Sequence, residues 1–277
     1  MEHFESPFGP GDFTSARAIE NFRFFGDLSN RAREHRYFAH PFMVAFDRQP
    51  PTRDQASFVL TSVYKLVSPF TGLLCSLGGR APDLRSRFAL MDNIFEEMGC
   101  GSLEAAHPSL FLKMLASIGV TAEEAERMAT LPAIRKINEH LREVVERRPF
   151  AVACGVLASA EWVIPPTFPV FASMATRAFP HIDMTFFDRH GPRDEGHSDD
   201  AAMLFAVTAD REQFDAVEHE VMLDLEYRCD LFDEWVQAMN EGTAQRRSRV
   251  TEHPRPLSVR PPMVVSHPSA PPPALSP

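Results

Sequence analysis

The sequence predicts an all-α protein of about seven helices, and two observations support this fold class. Strand signals are nearly absent, because no run of alternating β-branched residues is bounded by turn pairs. Helical patterns dominate instead, each delimited by capping or stop residues. At 277 residues, 44% of them hydrophobic and 24% charged, the chain can form a substantial core and is ordinary for a soluble globular protein.

Start and stop signals place each helix along the chain. Thr52 caps the first after two prolines, and the pair Gly78 and Gly79 stops it. Ser102 can cap a later helix, which ends near Gly119. The expected helices cover residues 58–77, 82–97, 102–118, 132–148, 150–179, 193–207 and 211–239.

The last 25 residues differ in composition from the rest of the chain. Nine of the 24 prolines fall in residues 253–277, with Ser and Ala between them and almost no core-forming residues. This composition is typical of a disordered, partly polyproline tail. We therefore expect a flexible N-terminus at residues 1–14, a helical domain at 15–242 and a disordered Pro-rich tail at 243–277.

Charge and cysteine spacing exclude several classes of protein. The net charge of −10 argues against nucleic acid or an anionic membrane as the main partner. The four cysteines are widely spaced and form no CxxC pair: Cys75, Cys100, Cys154 and Cys229. We therefore expect buried free thiols in a reducing cytosol, not a zinc finger or a disulfide framework.

The apolar stretch at residues 149–176 is long enough to be mistaken for a membrane span. It carries Glu161 and the prolines Pro165, Pro166 and Pro169, so a buried core helix is the better interpretation. The N-terminus lacks the basic-then-apolar order of a signal peptide. These features predict a cytoplasmic protein with no membrane partner.

The segment HGPRDEGH, at residues 190–197, holds the most informative spacing in the chain. His190, Asp194 and His197 stand at i, i+4 and i+7, which places all three on one face of a helix. Two imidazoles and a carboxylate suit a redox-active, non-haem iron. Because Gly191 and Pro192 lie inside the segment and proline is poorly tolerated within a helix, we expect His190 at the helix start.

Glu161 is a second anomaly, because it is the only charged residue between Pro149 and Thr176. Burying a lone carboxylate costs several kcal/mol or keeps it protonated, unless a cation neutralises it. Glu161 could instead be exposed, or could pair with an arginine from another helix. A bound metal ion explains its isolation better than either alternative.

Glu97 and His107 form a third group of potential ligands. Ten residues of unbroken helix would separate them by about 15 Å, too far for one metal centre. Gly99 and Gly101 remove this objection, because they allow the chain to bend between the two. Glu96 is the rival of Glu97, and His107, which precedes a proline, could be no more than a helix cap.

These six residues follow the order typical of a known family. A Glu, a His about ten residues later, a second Glu and an H-x3-D-x2-H triplet are found in the haem-oxygenase-like diiron oxidases and oxygenases, in the superfamily of thiaminase-like and pyrroloquinoline-synthase-like proteins. The chain resembles this family over roughly residues 30–240. The resemblance implies a haem-oxygenase-like bundle with two Fe(II) ions bound by Glu97, His107, Glu161, His190, Asp194 and His197.

The resemblance also implies O2 as co-substrate and a small-molecule substrate. Family members abstract hydrogen from carbon (in desaturation, cyclisation or C–C fragmentation), oxygenate amines, or decarboxylate fatty acids. Certain N-oxygenases of the family take a further carboxylate from the preceding helix, yet residues 55–82 contain no Asp or Glu. This absence favours C–H abstraction from a small amino acid or similar aliphatic acid, in natural-product biosynthesis, over N-oxygenation; fatty-acid decarboxylation is a further alternative.

A protein of a different class is also compatible with the predicted scaffold. The same scaffold hosts metal-free thiaminase-like enzymes and binding modules, although those lack the complete set of six residues. An external reductant or electron-donor partner and a homodimer are equally compatible with the sequence.

The sequence constrains substrate-binding residues less tightly. Lys65, a lone charge in its apolar segment, and Arg193 could each bind a substrate carboxylate. Lys65 could equally extend its stem to solvent. Five aromatic residues could surround the substrate or belong to the plain core: Tyr64, Phe70, Trp162, Phe168 and Phe187.

Overall fold

A computed structural model describes residues 7–190 and 194–242, with the side chains at 47, 48, 190 and 194–200 left out of the description. These residues confirm the all-α class and contain no strand. Nine of the twelve α-helices among them are at least eleven residues long, against the seven expected. The helices are α1 (Ala16–Arg33), α2 (Ala45–Arg48), α3 (Arg53–Arg80), α4 (Leu84–Glu97), α5 (His107–Ser117), α6 (Ala122–Arg127), α7 (Pro132–Arg147), α8 (Phe150–Ala160), α9 (Ile164–Ala178), α10 (Thr185–His190), α11 (Asp194–Thr208) and α12 (Phe214–Asn240).

Helix α1 was not predicted, and its buried face explains why. The buried positions Ala18, Asn21, Phe25, Leu28 and Ala32 follow helical spacing, but they include an amide and two small residues. The Asn21 side chain donates hydrogen bonds to the carbonyl oxygens of residues 206 and 209, each at 2.8 Å. A polar residue therefore connects α1 to the end of α11, and hydrophobic patterning alone does not reveal it.

The helix expected at residues 150–179 is in fact two helices. A 3₁₀ turn at Glu161–Val163 separates α8 from α9. Pro165 and Pro166 follow at the start of α9, and neither has an N–H to donate to the carbonyl groups one turn earlier. The prediction of one continuous helix is therefore wrong, and the break leaves Glu161 at the C-terminal end of α8.

Helix α8 lies at the centre of the bundle. All its residues from Ala151 to Ala160 are buried, and it packs against α11, α12, α7 and α3. A Cβ atom at Gly155 would stand 2.9 Å from Val217 Cγ1, so the neighbouring helices approach α8 at a distance that requires glycine.

Two helical stretches, Arg53–Arg80 and Phe150–Ala178, are long and apolar enough to cross a membrane by length and composition. Half of the first apolar window and 67% of the second are buried inside the bundle. Helices at the core of a soluble helical protein share this property.

The positions of the chain ends and cysteines bear on two further expectations. Residues 1–6 and the expected tail at 243–277 lie outside the described residues. Pro10–Phe13 forms a 3₁₀ turn, and Arg85 of α4 pairs with Asp12 within it. All four cysteines are free, and Cys154 and Cys229 are buried as expected. The expectation of burial is wrong for Cys75, which is exposed on α3, and for Cys100, which is half-buried.

Candidate metal centre

Glu97 and His107 meet across a tight turn between α4 and α5. Glu97 is the last residue of α4 and His107 the first of α5. Gly99 and Gly101 both adopt positive φ angles, of 75° and 88°. The bend that these glycines predict is therefore present, and it brings Glu97 Oε2 to 2.8 Å from His107 Nδ1.

The turn requires glycine at position 99 for a second reason. A Cβ atom there would lie 2.3 Å from the backbone nitrogen of Ala106 and 2.3 Å from the carbonyl oxygen of Ser102. Real Cβ atoms do not approach backbone atoms so closely, so the backbone would have to move. The local sequence thus determines how closely α5 returns to the end of α4.

Glu161 reaches the same region from the break between α8 and α9. Its side chain is buried, at 7% exposure, and lines one cavity together with Glu97 and His107. The alternative of an exposed Glu161 is therefore wrong. Arg228, on α12, also lines this cavity, and its charge acts on Glu161 electrostatically, so an arginine from another helix does lie within range.

The cavity has a volume of about 140 Å³. Most of its wall is apolar, and its polar side chains are few. The polar lining residues are Tyr37, Glu97, His107, Asn138, Glu161, Thr167 and Arg228. A partly open, mostly apolar cavity with a few convergent polar groups is typical of a small-molecule site.

Two helices carry the histidine triplet, so the prediction of one helix that begins at His190 is wrong: His190 is the last residue of α10, and Asp194 is the first of α11. Both helices pack against this region. Helix α10, which ends at His190, packs on α5, and Phe186 of α10 meets the His107 ring edge-on with centroids 6.3 Å apart. Helix α11 packs on α8, on α4 and on the Glu161–Val163 turn. Ala201, one turn after His197 on α11, lines a small space beside Glu161.

The triplet itself lies outside the described side chains. Those of His190, Asp194 and His197, and the whole of Arg193, are not described. Among the side chains that are, no three His, Cys, Asp or Glu residues group closely enough to hold a metal ion. The ligand roles of all six residues therefore stay predictions.

The donor atoms of Glu97 and His107 nevertheless fit a shared metal ion. Two ligands bound to one ion at about 2.1 Å, at right angles, have donor atoms about 3 Å apart. Oε2 of Glu97 and Nδ1 of His107 are separated by 2.8 Å, and both residues are buried in the cavity wall. Either a proton or a metal cation can hold a carboxylate and an imidazole at this distance.

Two of the substrate candidates point away from the cavity. The Tyr64 hydroxyl donates to Glu126 Oε1 at 2.5 Å, and Lys65 Nζ donates to the Glu126 carbonyl oxygen at 2.7 Å. Both side chains therefore face α6. Lys65 neither lines the cavity among the described residues nor extends freely into solvent.

The aromatic candidates divide into lining and supporting residues. Phe70 and Phe168 line the cavity. Phe187 packs edge-on against Phe168, with ring centroids 5.7 Å apart, and Trp162 packs against Phe25 at 5.0 Å. In the described lining, neither Phe187 nor Trp162 reaches the cavity surface.

Sequence reasoning missed Arg228, together with Tyr37 and Thr167 beside it. Arg228 lies in a helix rich in acidic residues, which resembles a solvated surface. The signal was its register, because the buried residues Val221, Asp224 and Leu225 precede it on the same face of α12. A charged pair at i, i+4 within a buried face indicates a polar cavity or an interior ion pair.

A sequence model described as "Iron-containing redox enzyme" matches residues 57–229. The chain belongs to this family of iron-containing redox enzymes. The match includes Glu97, His107 and Glu161, the segment at 190–197 and Arg228. Family membership confirms the resemblance inferred from the order of the six residues and supports iron binding, while the number of ions is not given by it.

Solved structures of similar fold confirm the haem-oxygenase-like bundle. A CadD-like protein of unknown function from Nostoc punctiforme PCC 73102 matches with a TM-score of 0.63 and 17% identity, over 83% of this chain and 99% of that one. A domain of unknown function with a heme oxygenase-like fold from Shewanella denitrificans OS217 gives 0.60 and 16%, over 80% and 93%. A TenA homologue from Pseudomonas syringae pv. tomato DC3000 gives 0.58 and 16%, over 85% and 100%.

No curated protein is significantly similar to this chain in sequence. At these low identities the structural matches establish the fold and not the activity.

Proposed function

We propose that this iron-containing redox enzyme is an O2-dependent, non-haem diiron oxidase or oxygenase. Its substrate is a small amino acid or similar aliphatic acid, from which it abstracts hydrogen in a desaturation, cyclisation or C–C fragmentation. The observation that carries the proposal is the 2.8 Å approach of Glu97 Oε2 to His107 Nδ1 in the wall of a cavity that Glu161 also lines.

Six residues would hold the metal. Glu97, His107 and Glu161 supply donors from α4, α5 and the α8–α9 break, and we assign the remaining positions to His190, Asp194 and His197. Three carboxylates against two Fe(II) ions leave the centre near neutral, which lowers the cost of burying each charge. Bound iron would supply the reduction of O2 and the hydrogen abstraction that these side chains cannot perform.

The chain's own residues would position the substrate and exclude water. Phe168 and Phe186 line the cavity near His107, and their rings pack against each other with centroids 5.9 Å apart. Such a wall keeps water from a reactive centre and orients an aliphatic chain. The break at Glu161–Val163 holds the carboxylate of Glu161 at the cavity surface.

The lining of the cavity bears on the choice of substrate. Its mostly apolar wall with a few convergent polar side chains supports a small aliphatic acid. Fatty-acid decarboxylation stays an alternative. The N-oxygenases that use a further carboxylate ligand take it from the helix before Glu97, and residues 55–82 contain no Asp or Glu to supply one.

Several parts of the proposal concern the protein's context. We propose a cytoplasmic enzyme of natural-product biosynthesis, with an external reductant or electron donor where the reaction requires one. Neither nucleic acid nor membrane is proposed as a partner, and a homodimer is compatible with the proposal.

Anaerobic titration with Fe(II), followed by iron analysis of the isolated protein, tests the metal centre. We expect saturation near two ions per chain for the wild type and for Glu96→Gln, the neighbouring control. Glu97→Gln and Glu161→Ala should bind less iron, and His197→Ala should abolish O2-dependent turnover. If the protein binds no iron, the diiron proposal is wrong. That result would favour a metal-free enzyme or a binding module, the alternative suggested by the TenA homologue of similar fold.

Oxygen consumption by the iron-loaded enzyme tests the substrate class. A panel of short aliphatic acids and amino acids, compared with long-chain fatty acids, should accelerate O2 uptake only in the short series. Acceleration by the long chains alone would reverse the assignment.

A further inference from the structure

The cavity has a polar end on α12 that the proposed metal ligands do not use. Arg228 lines the cavity, and its side chain is only 15% exposed. Its Nε donates to Asp224 Oδ2 at 2.5 Å, one turn earlier on the same helix. A buried guanidinium fixed from one side by a carboxylate is held in one orientation.

The rest of the guanidinium remains available. A guanidinium has five N–H donors, and the bond to Asp224 occupies the Nε–H of Arg228. Within the described part of the protein, its two terminal nitrogens have no hydrogen-bond acceptor. Four N–H donors in a fixed plane beside a cavity form the arrangement that binds a carboxylate through two parallel hydrogen bonds.

Tyr37 and Thr167 line the cavity near Arg228. Thr167 lies close enough to Tyr37 to lower the pKa of the phenol, and the Thr167 hydroxyl donates to the carbonyl oxygen of Val163. Burial raises the pKa of Tyr37 well above its usual value, and the charge of Arg228 only partly offsets this effect. The phenol therefore stays neutral and adds no negative charge that would repel an incoming anion.

The charge of Arg228 also acts on Glu161, so this polar end and the proposed metal ligand lie within electrostatic range of each other. A small acid bound to the guanidinium would therefore lie in the cavity that Glu161 also lines. The apolar wall that includes Phe70 and Phe168 can take the remainder of an aliphatic chain.

We propose that Arg228, held in place by Asp224, binds the carboxylate of the substrate and thereby selects small aliphatic acids. This assignment rests on the proposed function, because it identifies the occupant of the cavity as the substrate. Arg228 is a specificity-determining residue, and Asp224 is a positioning residue that acts through it. Lys65, which faces Glu126, does not have this role, and Arg193 lies outside the described residues.

The test measures binding of hexanoate and norleucine by calorimetry, with hexanol and hexanamide as uncharged counterparts. Each is titrated into the metal-free protein and into the Fe(II)-loaded protein without oxygen. We expect the two acids to bind at least 10-fold more tightly than the uncharged pair. Arg228→Gln should weaken acid binding by about 10- to 100-fold and leave hexanol unchanged.

Matched variants separate recognition from folding. Arg228→Gln leaves the buried Asp224 carboxylate without its cation, so the double variant Arg228→Gln with Asp224→Asn removes both charges and guards against misfolding. Arg228→Lys keeps the charge but loses the planar fork, and it should bind acids with intermediate affinity. Arg147→Gln, at an exposed position on α7, is the control and should bind acids like the wild type.

The outcomes distinguish this inference from the proposed function. If acids bind in an Arg228-dependent manner while the protein takes up no iron, the carboxylate-binding role of Arg228 stands and the diiron proposal fails. If the protein binds iron and a short acid stimulates O2 uptake, but a folded Arg228 variant has unchanged affinity and KM for that acid, the role of Arg228 is overturned. Absence of acid binding both with and without iron overturns it as well.

Discussion

Substitution of Gly99 by alanine should damage both the stability of the fold and the metal centre. Gly99 has a φ of +75°, and the added Cβ would lie 2.3 Å from the Ala106 nitrogen. The left-handed backbone alone costs an alanine about 1 kcal/mol. The backbone must also move to accommodate the added Cβ, which lowers the free energy of unfolding by a further amount of about 1 to 3 kcal/mol, the range for forcing extra atoms into a packed site.

Gly101 provides the matched control, because it shares the backbone conformation without the clash. Its φ is +88°, and its nearest neighbour would be Phe95 Cε2 at 3.9 Å. Gly101→Ala should therefore lose only about 1 kcal/mol. The difference between the two variants isolates the contribution of the close contact.

Urea denaturation of both variants measures this difference, and Fe(II) titration measures its consequence for the site. We expect Gly99→Ala to be about 1 to 3 kcal/mol less stable than Gly101→Ala and to bind iron less tightly, since His107 shifts away from Glu97. Equal stabilities and equal iron affinities in the two variants would refute the reasoning.

Three further predictions concern packing, pH and thiol access. In Gly155→Ala the added Cβ would lie 2.9 Å from Val217 Cγ1, so urea denaturation should show a loss of about 1 to 3 kcal/mol in the free energy of unfolding. Gly72→Ala is the control, because no atom lies within 4 Å of its added Cβ on α3, and its free energy of unfolding should rise by up to about 1 kcal/mol. The Thr185 hydroxyl and amide, with Lys113, lower the pKa of Asp183 to about 2, so its stabilising effect is present above pH about 4 and is lost as the pH falls toward 2. Acid-denaturation curves of Asp183→Asn should lack that component; a curve identical to the wild type would contradict it. In the native protein, exposed Cys75 should react with a thiol reagent far faster than buried Cys154. Equal rates would contradict the burial of Cys154 on α8.

The sequence predicted those features that depend on local chemistry. The all-α class follows from the missing strand patterns, and the bend at Gly99 and Gly101 follows from the conformations that only glycine adopts readily. The burial of Glu161 could be inferred because no other charge occurs near it in sequence. Each of these last two signals lies close in sequence to the feature that it predicts.

Features that depend on distant contacts were not predictable in the same way. The buried role of Asn21 depends on two carbonyl groups at the end of α11, more than 180 residues away. The role of Arg228 depends on a cavity that α3, α7 and α9 close around it. A sequence pattern records the polarity of a helix face, but it does not record which other helix provides its partner.

The break after α8 connects the two sets of features. Pro165 and Pro166 have no N–H to donate to the carbonyl groups of Glu161 and Trp162. The Ile164 N–H donates to the Glu161 carbonyl instead, and a 3₁₀ turn replaces the continuous helix at that point. The same break leaves Thr167 in the second turn of α9, where it lines the cavity with Glu161 and Arg228. The prolines that argued against a membrane span therefore also bring two residues to one cavity surface. These are Glu161, a candidate metal ligand, and Thr167, which lies near the proposed carboxylate-binding residue Arg228.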